Sequence, residues 1–342
     1  LEKIRKKKRN YTPWQVAIGA GFACGGFCIQ FGCDWVAFLY ASIAAILGMR
    51  LRQVCNESGL NHYMGIAISA FVATIIAWAS TLLPAEWTST PWHPLLACAL
   101  FIVPGVPLIN FVDDMLDNYI QVGIVRAVNT LLMVAAMAFG IAFAVKLCHI
   151  ENFFPTISMV PHHQYWEYAI AAAISAMGFS MIFNIQRRLL WVVAIGGIIA
   201  VCTRNFVNLG PSTDNIGLDM GLVIGSFSGA VLVSLIAIKA VHWFHVPNHV
   251  LTIPSVIPMI PGVLMYRMLF GIININVQSI DQVTPLMKAI ESGVNSGLVI
   301  MCIALGVAIP NIFGRRFIAS SKNKRLAELL KERKARGKFV EW

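Results

Sequence analysis

About ten stretches of this chain are apolar over the length that a helix needs to cross a lipid bilayer, which leaves few folds open. A hydrocarbon core about 30 Å thick takes roughly 20 residues at helical rise. The stretches fall at 13–32, 34–51, 62–83, 93–113, 121–147, 165–185, 189–206, 216–241, 249–271 and 284–310. They occupy most of the 342 residues, of which 58% are hydrophobic and 12% charged, too apolar a balance for a soluble domain. The expectation is an all-α integral membrane protein of about ten transmembrane helices. The period-2 alternation of a barrel is absent, and each helix satisfies its own backbone in lipid.

The net charge of +10 does not point to nucleic acid, because the basic residues sit at the two tails and in short loops between stretches. With ten spans and the N-terminus inside, the cytoplasmic side collects Lys3 to Arg9, Arg50, Arg52, Arg187, Arg188, Lys239 and the tail from Arg315 to Lys338. The opposite side receives Lys146, Arg204, Arg267 and Lys288, so the bias follows the positive-inside rule and places both termini in the cytoplasm. The basic start resembles the first part of a signal peptide, but Trp14 to Phe31 has no cleavage site and reads as the first helix. The chain opens on Leu1 rather than Met, so an N-terminal portion is expected to lie outside this sequence. In the tail, Leu326, Leu329 and Leu330 share one face amid basic residues, as in a helix lying on a lipid surface.

Eight cysteines (24, 28, 33, 55, 98, 148, 202 and 302) lie in or beside the apolar stretches without CxxC pairs or histidines at ligand spacing. They read as small buried hydrophobes, and no metal or cofactor is expected. No nucleophile elbow, nucleotide loop or HExxH motif appears.

The chain repeats itself. Gly26-Phe27-x-x-x-Phe31 followed by Arg52 matches Gly178-Phe179-x-x-x-Phe183 followed by Arg204, at a constant offset of 152 residues. Val103-Pro104-Gly105-Val106 matches Ile260-Pro261-Gly262-Val263. Val128-Asn129-Thr130, with Gly140-Ile141-Ala142 beyond, matches Val294-Asn295-Ser296 with Gly306-Val307-Ala308. This divides the chain into a basic segment 1–12, a first five-helix repeat 13–149, a linker 150–164, a second five-helix repeat 165–312 and a basic tail 313–342. Five is odd, so the second unit enters the membrane from the opposite side, an inverted repeat suited to alternating access.

Each Pro-Gly pair breaks a membrane-length stretch in its middle, since proline lacks the backbone donor and glycine loosens the helix. Pro104, Gly105, Pro261 and Gly262 are therefore candidate substrate contacts, with half-helix N-termini suited to a carboxylate. The bland alternative is a packing kink. Asn110, Asn129 and Asn295 are neutral hydrogen-bonders in apolar runs and read either as substrate contacts or as helix ties. Tyr266 and Arg267 follow the second break, where Arg267 could clamp a carboxylate or anchor at the interface.

Asp113, Asp114 and Asp117 form the densest acidic cluster, with Asp113 and Asp117 on one helical face and Asp114 about 100° away. Together with Arg126, and with Asp219 and Glu291 inside the eighth and tenth stretches, they are candidates for proton coupling or gating. Asp114 is the preferred one.

The run Pro104-Gly-Val-Pro-Leu-Ile-Asn110-Phe-Val-Asp113-Asp114 through Gly123-Ile-Val-Arg126, with Ile257-Pro-Met-Ile-Pro-Gly262-Val-Leu-Met-Tyr266-Arg267, resembles the threonine/serine exporter family over about residues 10–310. The resemblance implies a secondary exporter of small hydrophilic metabolites from the bacterial cytoplasm, driven by the electrochemical (proton) gradient. Its cargo would be threonine and serine or, as in two-polypeptide relatives, succinate. Members usually carry a soluble N-terminal region that this sequence does not include. The expected partners are that substrate, protons, membrane lipid and further copies of the chain. A second reading takes Asp113-Asp114-Met115-Leu116-Asp117 as the DDxxD by which membrane prenyltransferases hold magnesium diphosphate. The matching stretch Val263 to Phe270 contains no acid, which weighs against it.

Overall fold

A computed structural model describes residues 9–84, 86–150, 163–211, 216–273 and 283–335. The described residues are helical without strands. In chain order the helices are α1 (Pro13–Gln30), α2 (Trp35–Glu57), α3 (His62–Trp78), α4 (Pro94–Ala97), α5 (Gly105–Leu116), α6 (Ile120–Leu147), α7 (Tyr165–Ile182), α8 (Leu190–Asn208), α9 (Leu222–Phe244), α10 (Asn248–Val256), α11 (Gly262–Ile273) and α12 (Val283–Ala335). Most of the linker, most of the basic N-terminal segment and the end of the tail lie outside the described residues, as do the side chains of the tail's leucine stripe.

Local chemistry sets the helix starts. Thr12 accepts from the Gln15 amide while the Gln15 side chain reaches back to the Thr12 amide, and Pro13 occupies the first helical position of α1. Asp34 caps α2 through the Ala37 amide, at 2.7 Å. Gln164 and Glu167 form the reciprocal pair that opens α7. At the far end of α9, His245 takes a left-handed conformation before Pro247.

Six helical segments are long and apolar enough to cross a membrane, and eight are if each of two bent pairs counts as one span. The pairs are Pro94–Ile102 with Gly105–Leu116 and Asn248–Met259 with Gly262–Leu269, both bent by 55°. In the second, Pro254, Pro258 and Pro261 remove amides in turn, so the helix tightens into a 3₁₀ turn at Ile257–Met259 and stops. The first pair ends in the same way, with a 3₁₀ turn at Leu100–Ile102.

Small residues line the face that α1 and α7 share. The two helices run antiparallel and come close: a Cβ on Gly178 would lie 2.4 Å from the Gly19 carbonyl oxygen, and one on Gly26 2.5 Å from that of Ala171. Ser175 Oγ donates to the Ala23 carbonyl at 3.2 Å, and Phe27 meets Phe179 edge-on at 5.7 Å. The pair is pinned at both ends, by Asn10 bonding Asn184 and by His163 Nε2 donating to the Cys33 carbonyl at 2.8 Å. Around it, α1 packs on α2 and α7 on α8, while α6 packs on α3 and α12 on α9.

The helix of the eighth apolar stretch starts later than the sequence suggests. Hydropathy runs unbroken from 216, but Gly221 sits at φ +86° and the helix begins at Leu222. Residues 218–220 instead run back along α8, bonding to the Phe206, Leu209 and Val207 carbonyls. Asp219 therefore lies in this exposed segment rather than within a span.

Candidate functional site

Both Pro-Gly steps make the same turn. The Gly105 amide donates to the Val103 carbonyl at 2.8 Å across Pro104, whose φ of −77° and ψ of 63° define an inverse γ-turn. The Gly262 amide donates to the Ile260 carbonyl at 2.9 Å across Pro261. These two amides are thus used within the turns, and the half-helix N-termini have fewer free donors than the sequence suggested.

The two turns face each other. A Cβ on Gly105 would lie 2.8 Å from Ile260 Cδ1, and one on Gly262 2.5 Å from Leu100 Cδ2. Between them is a small cavity of about 10 Å³, room for little more than one water, lined by Phe27, Leu100, Val103, Phe179, Ile257, Ile260 and Gly262. Every side chain in that lining is apolar. A polar solute would lose its hydration there, and the polar contacts a carboxylate needs would have to come from the backbone of the two turns. Cys24 ties α1 to the first bend, its Sγ accepting from the Phe101 amide at 3.2 Å and donating to the Cys98 carbonyl at 3.8 Å.

The polar candidates lie away from this cavity. Asp114 is eight residues beyond Val106, about 12 Å along α5 at helical rise. Its carboxylate pairs with Arg126 Nη1 at 2.6 Å, joining α5 to α6. Asp113 lies 3.8 Å from His249 Nε2, in the first turn of α10. That contact joins the two bent helices, and the sequence reading passed over it because His249 stands alone in a loop-like run. Asp117 is partly buried at the end of α5, and its amide donates to the Asp113 carbonyl. Asp113 and Asp114 thus reach different partners on different helices.

The remaining candidates spread out. Asn110 is partly buried on α5. Asn129 accepts from Tyr63 Oη at 2.7 Å, a tie between α3 and α6, whereas Asn295 is exposed on α12. Tyr266 is fully buried and donates to Met137 Sδ at 3.3 Å, joining α11 to α6. Arg267 is partly buried one residue further on. Glu291 is exposed on α12.

At the α1–α2 turn, Asp34 collects the Ala37 and Ser89 amides and the Thr88 hydroxyl. Partial burial alone would raise its pKa, but these hydrogen bonds outweigh it and hold the carboxyl below its ordinary value.

Stacked apolar helices with two paired bends define a multi-pass helical membrane protein. This chain belongs to the threonine/serine exporter family. The family described as "Putative threonine/serine exporter" matches residues 1–148, and "Threonine/Serine exporter, ThrE" matches residues 168–313. Among curated relatives, the probable succinate transporter subunit YjjP of Klebsiella aerogenes is 30% identical over 141 residues, 41% of this chain and 54% of that protein. Its counterpart in Escherichia coli K12, of the same description, is 31% identical over 137 residues, 40% of this chain and 53% of that protein. The chain thus spans about half the length of the curated relatives it matches. No solved structure matches it.

Proposed function

We propose that the chain is a secondary exporter of small hydrophilic metabolites that works by alternating access, with threonine and serine as cargo. The observation that carries this is the meeting of two Pro-Gly bends, one from each half, across an apolar cavity. A closed apolar junction with polar groups beyond it is what an occluding barrier requires, and rocking one half against the other would open it to either face.

Ten spans in two inverted five-helix repeats, 13–149 and 165–312, fit the packing. Phe27 and Phe179, 152 residues apart in sequence, touch each other in the antiparallel α1–α7 pair, as equivalent residues beside a two-fold axis in the membrane plane would. Gly140 packs on the Ala67 carbonyl of α3, and its repeat counterpart Gly306 packs on the Phe227 carbonyl of α9. In this arrangement α1 and α7 cross as a buried central pair, both termini are cytoplasmic, and the membrane is the bacterial inner membrane. Coupling to the proton gradient falls to the Asp113, Asp114 and Asp117 cluster with Arg126.

Succinate is the second cargo reading, favoured by the relatives described as probable succinate transporter subunits. The test is efflux of labelled serine, threonine and succinate from proteoliposomes containing the purified chain, with and without a pH gradient. Saturable, gradient-dependent efflux of at least one is expected; no efflux of any overturns the proposal.

A further inference from the structure

We propose that Arg52 and Arg204 are a repeat-related pair of substrate-carboxylate contacts, one at each end of the pathway with the apolar barrier between them. The inference rests on the exporter reading and assigns residues to it.

The two arginines stand 152 residues apart, the offset that also relates Phe27 to Phe179. Their settings match. Four residues before Arg52, a Cβ on Gly48 would lie 2.9 Å from Ala73 Cβ and 3.1 Å from the Phe101 ring, beside the first bend. Four residues before Arg204, Ala200 is fully buried, and a Cβ on Gly229 would lie 2.6 Å from its carbonyl oxygen and 3.0 Å from Met259 Sδ, beside the second bend. Four residues is one helical turn on the same face, so Arg52 stands one turn beyond a contact with the first bend, and Arg204 one turn beyond the point where α8 meets α9 beside the second.

The turns lead to opposite ends of the bundle. Gln53, next to Arg52, donates to the Pro13 carbonyl at the start of α1. Arg204 lies near the end of α8, where Tyr165 at the start of α7 donates to the Ile216 carbonyl in the following loop. Because α1 and α7 are antiparallel, the start of one is the far end from the start of the other.

Neither guanidinium forms an ion pair with a carboxylate among the described residues. Arg204 Nε and Nη2 donate to the Asn205 side-chain oxygen, at 3.1 and 3.0 Å, a neutral partner that does not compensate the charge, and no described carboxylate does so. Both side chains are partly buried. Arg50 shows the surface alternative two residues away: it lies 4.7 Å from the Trp14 ring centroid and bonds Gln53. A half-buried cation without an anion is expensive in a membrane protein, and a bidentate ligand carboxylate supplies the missing partner.

The experiment uses R52Q, R52K, R204Q and R204K in the full chain, each checked for a monodisperse peak and an unchanged thermal midpoint without ligand. Transport KM for succinate and for serine is measured in vesicles of both orientations. Ligand-induced thermal stabilisation of the purified protein is measured in parallel. Each Gln variant is expected to raise KM about tenfold or more at one face only, R52Q and R204Q at opposite faces, with Lys restoring part of the loss. Transport by the wild type with unchanged KM in both Gln variants overturns the arginine assignment and leaves the exporter reading standing. Stabilisation by a carboxylate that R52Q and R204Q abolish, without wild-type transport, overturns the exporter reading and keeps the arginines as carboxylate contacts. Neither transport nor stabilisation overturns both.

Discussion

The bent helix of the first half and that of the second turn through the same 55° at the same Pro-Gly step. Beyond the bend, one continues into Asp113, Asp114 and Asp117 and the other into Tyr266 and Arg267. The backbone has to be alike, because each bend closes against the other and a cavity between two turns needs both. The side chains beyond it are free of that demand. The first half uses that freedom for charge, pairing Asp114 with Arg126 and setting Asp113 near His249. The second uses it for packing, with Tyr266 buried against Met137. The comparison separates what closes the junction from the side chains that vary beyond it.

The harshest way to break it is at the bends. G105L and G262L each force branched atoms into a neighbour that already lies within 3 Å of a Cβ, so both are expected to abolish efflux, and to similar extents. Residual rates differing between the two by more than about tenfold, or about 1.4 kcal/mol, would show that the bends are not equivalent. A charge change sharpens the other side of the comparison. D114N and R126Q are each expected to slow efflux about tenfold, with the double variant no worse than either single one, since both remove one interaction. Additive losses would deny the coupling.

Overpacking at the central pair comes next. G178A places a Cβ 2.4 Å from a backbone oxygen and is expected to cost about 1–3 kcal/mol, read as a lowered thermal midpoint.

The smallest effect lies at the loops after α1 and α7. Asp34 caps α2, whereas Gln186, 152 residues later, makes no cap. D34A is expected to cost about 1 kcal/mol at neutral pH, while Q186A costs close to nothing. Because the folded-state pKa of Asp34 is depressed, its contribution is fully present above the ordinary carboxylate range and is lost as pH falls through the lowered value. The D34A deficit should therefore shrink in melts taken below about pH 4.

Much of the scaffold was legible because lipid imposes a length and proline and glycine impose a stop. The bends at Pro104 and Pro261 came from that logic. The nature of the junction was not legible: Leu100, Val103, Ile257 and Ile260 look like any lipid-facing residues until the fold turns them toward each other. The Asp113–His249 contact joins residues 136 apart, and no local spacing encodes it. Asp219 was misplaced because Leu218 and Met220 prolong an apolar run through a segment that is not helical; Gly217 and Gly221 on either side of it were the available signal. Asn295 matched Asn129 in sequence, yet α12 turns it outward.

The central claim is that the two bends close an apolar barrier within the route of a carrier. Its most direct measurement compares proteoliposomes of the wild type with the double variant V103S/I260S, following efflux of labelled serine and succinate and of a bulky uncharged sugar. The expected result is saturable efflux of serine or succinate with sugar retained in the wild type, and non-saturable loss of all three in the variant. Sugar retention and efflux kinetics identical in the two proteins would contradict it.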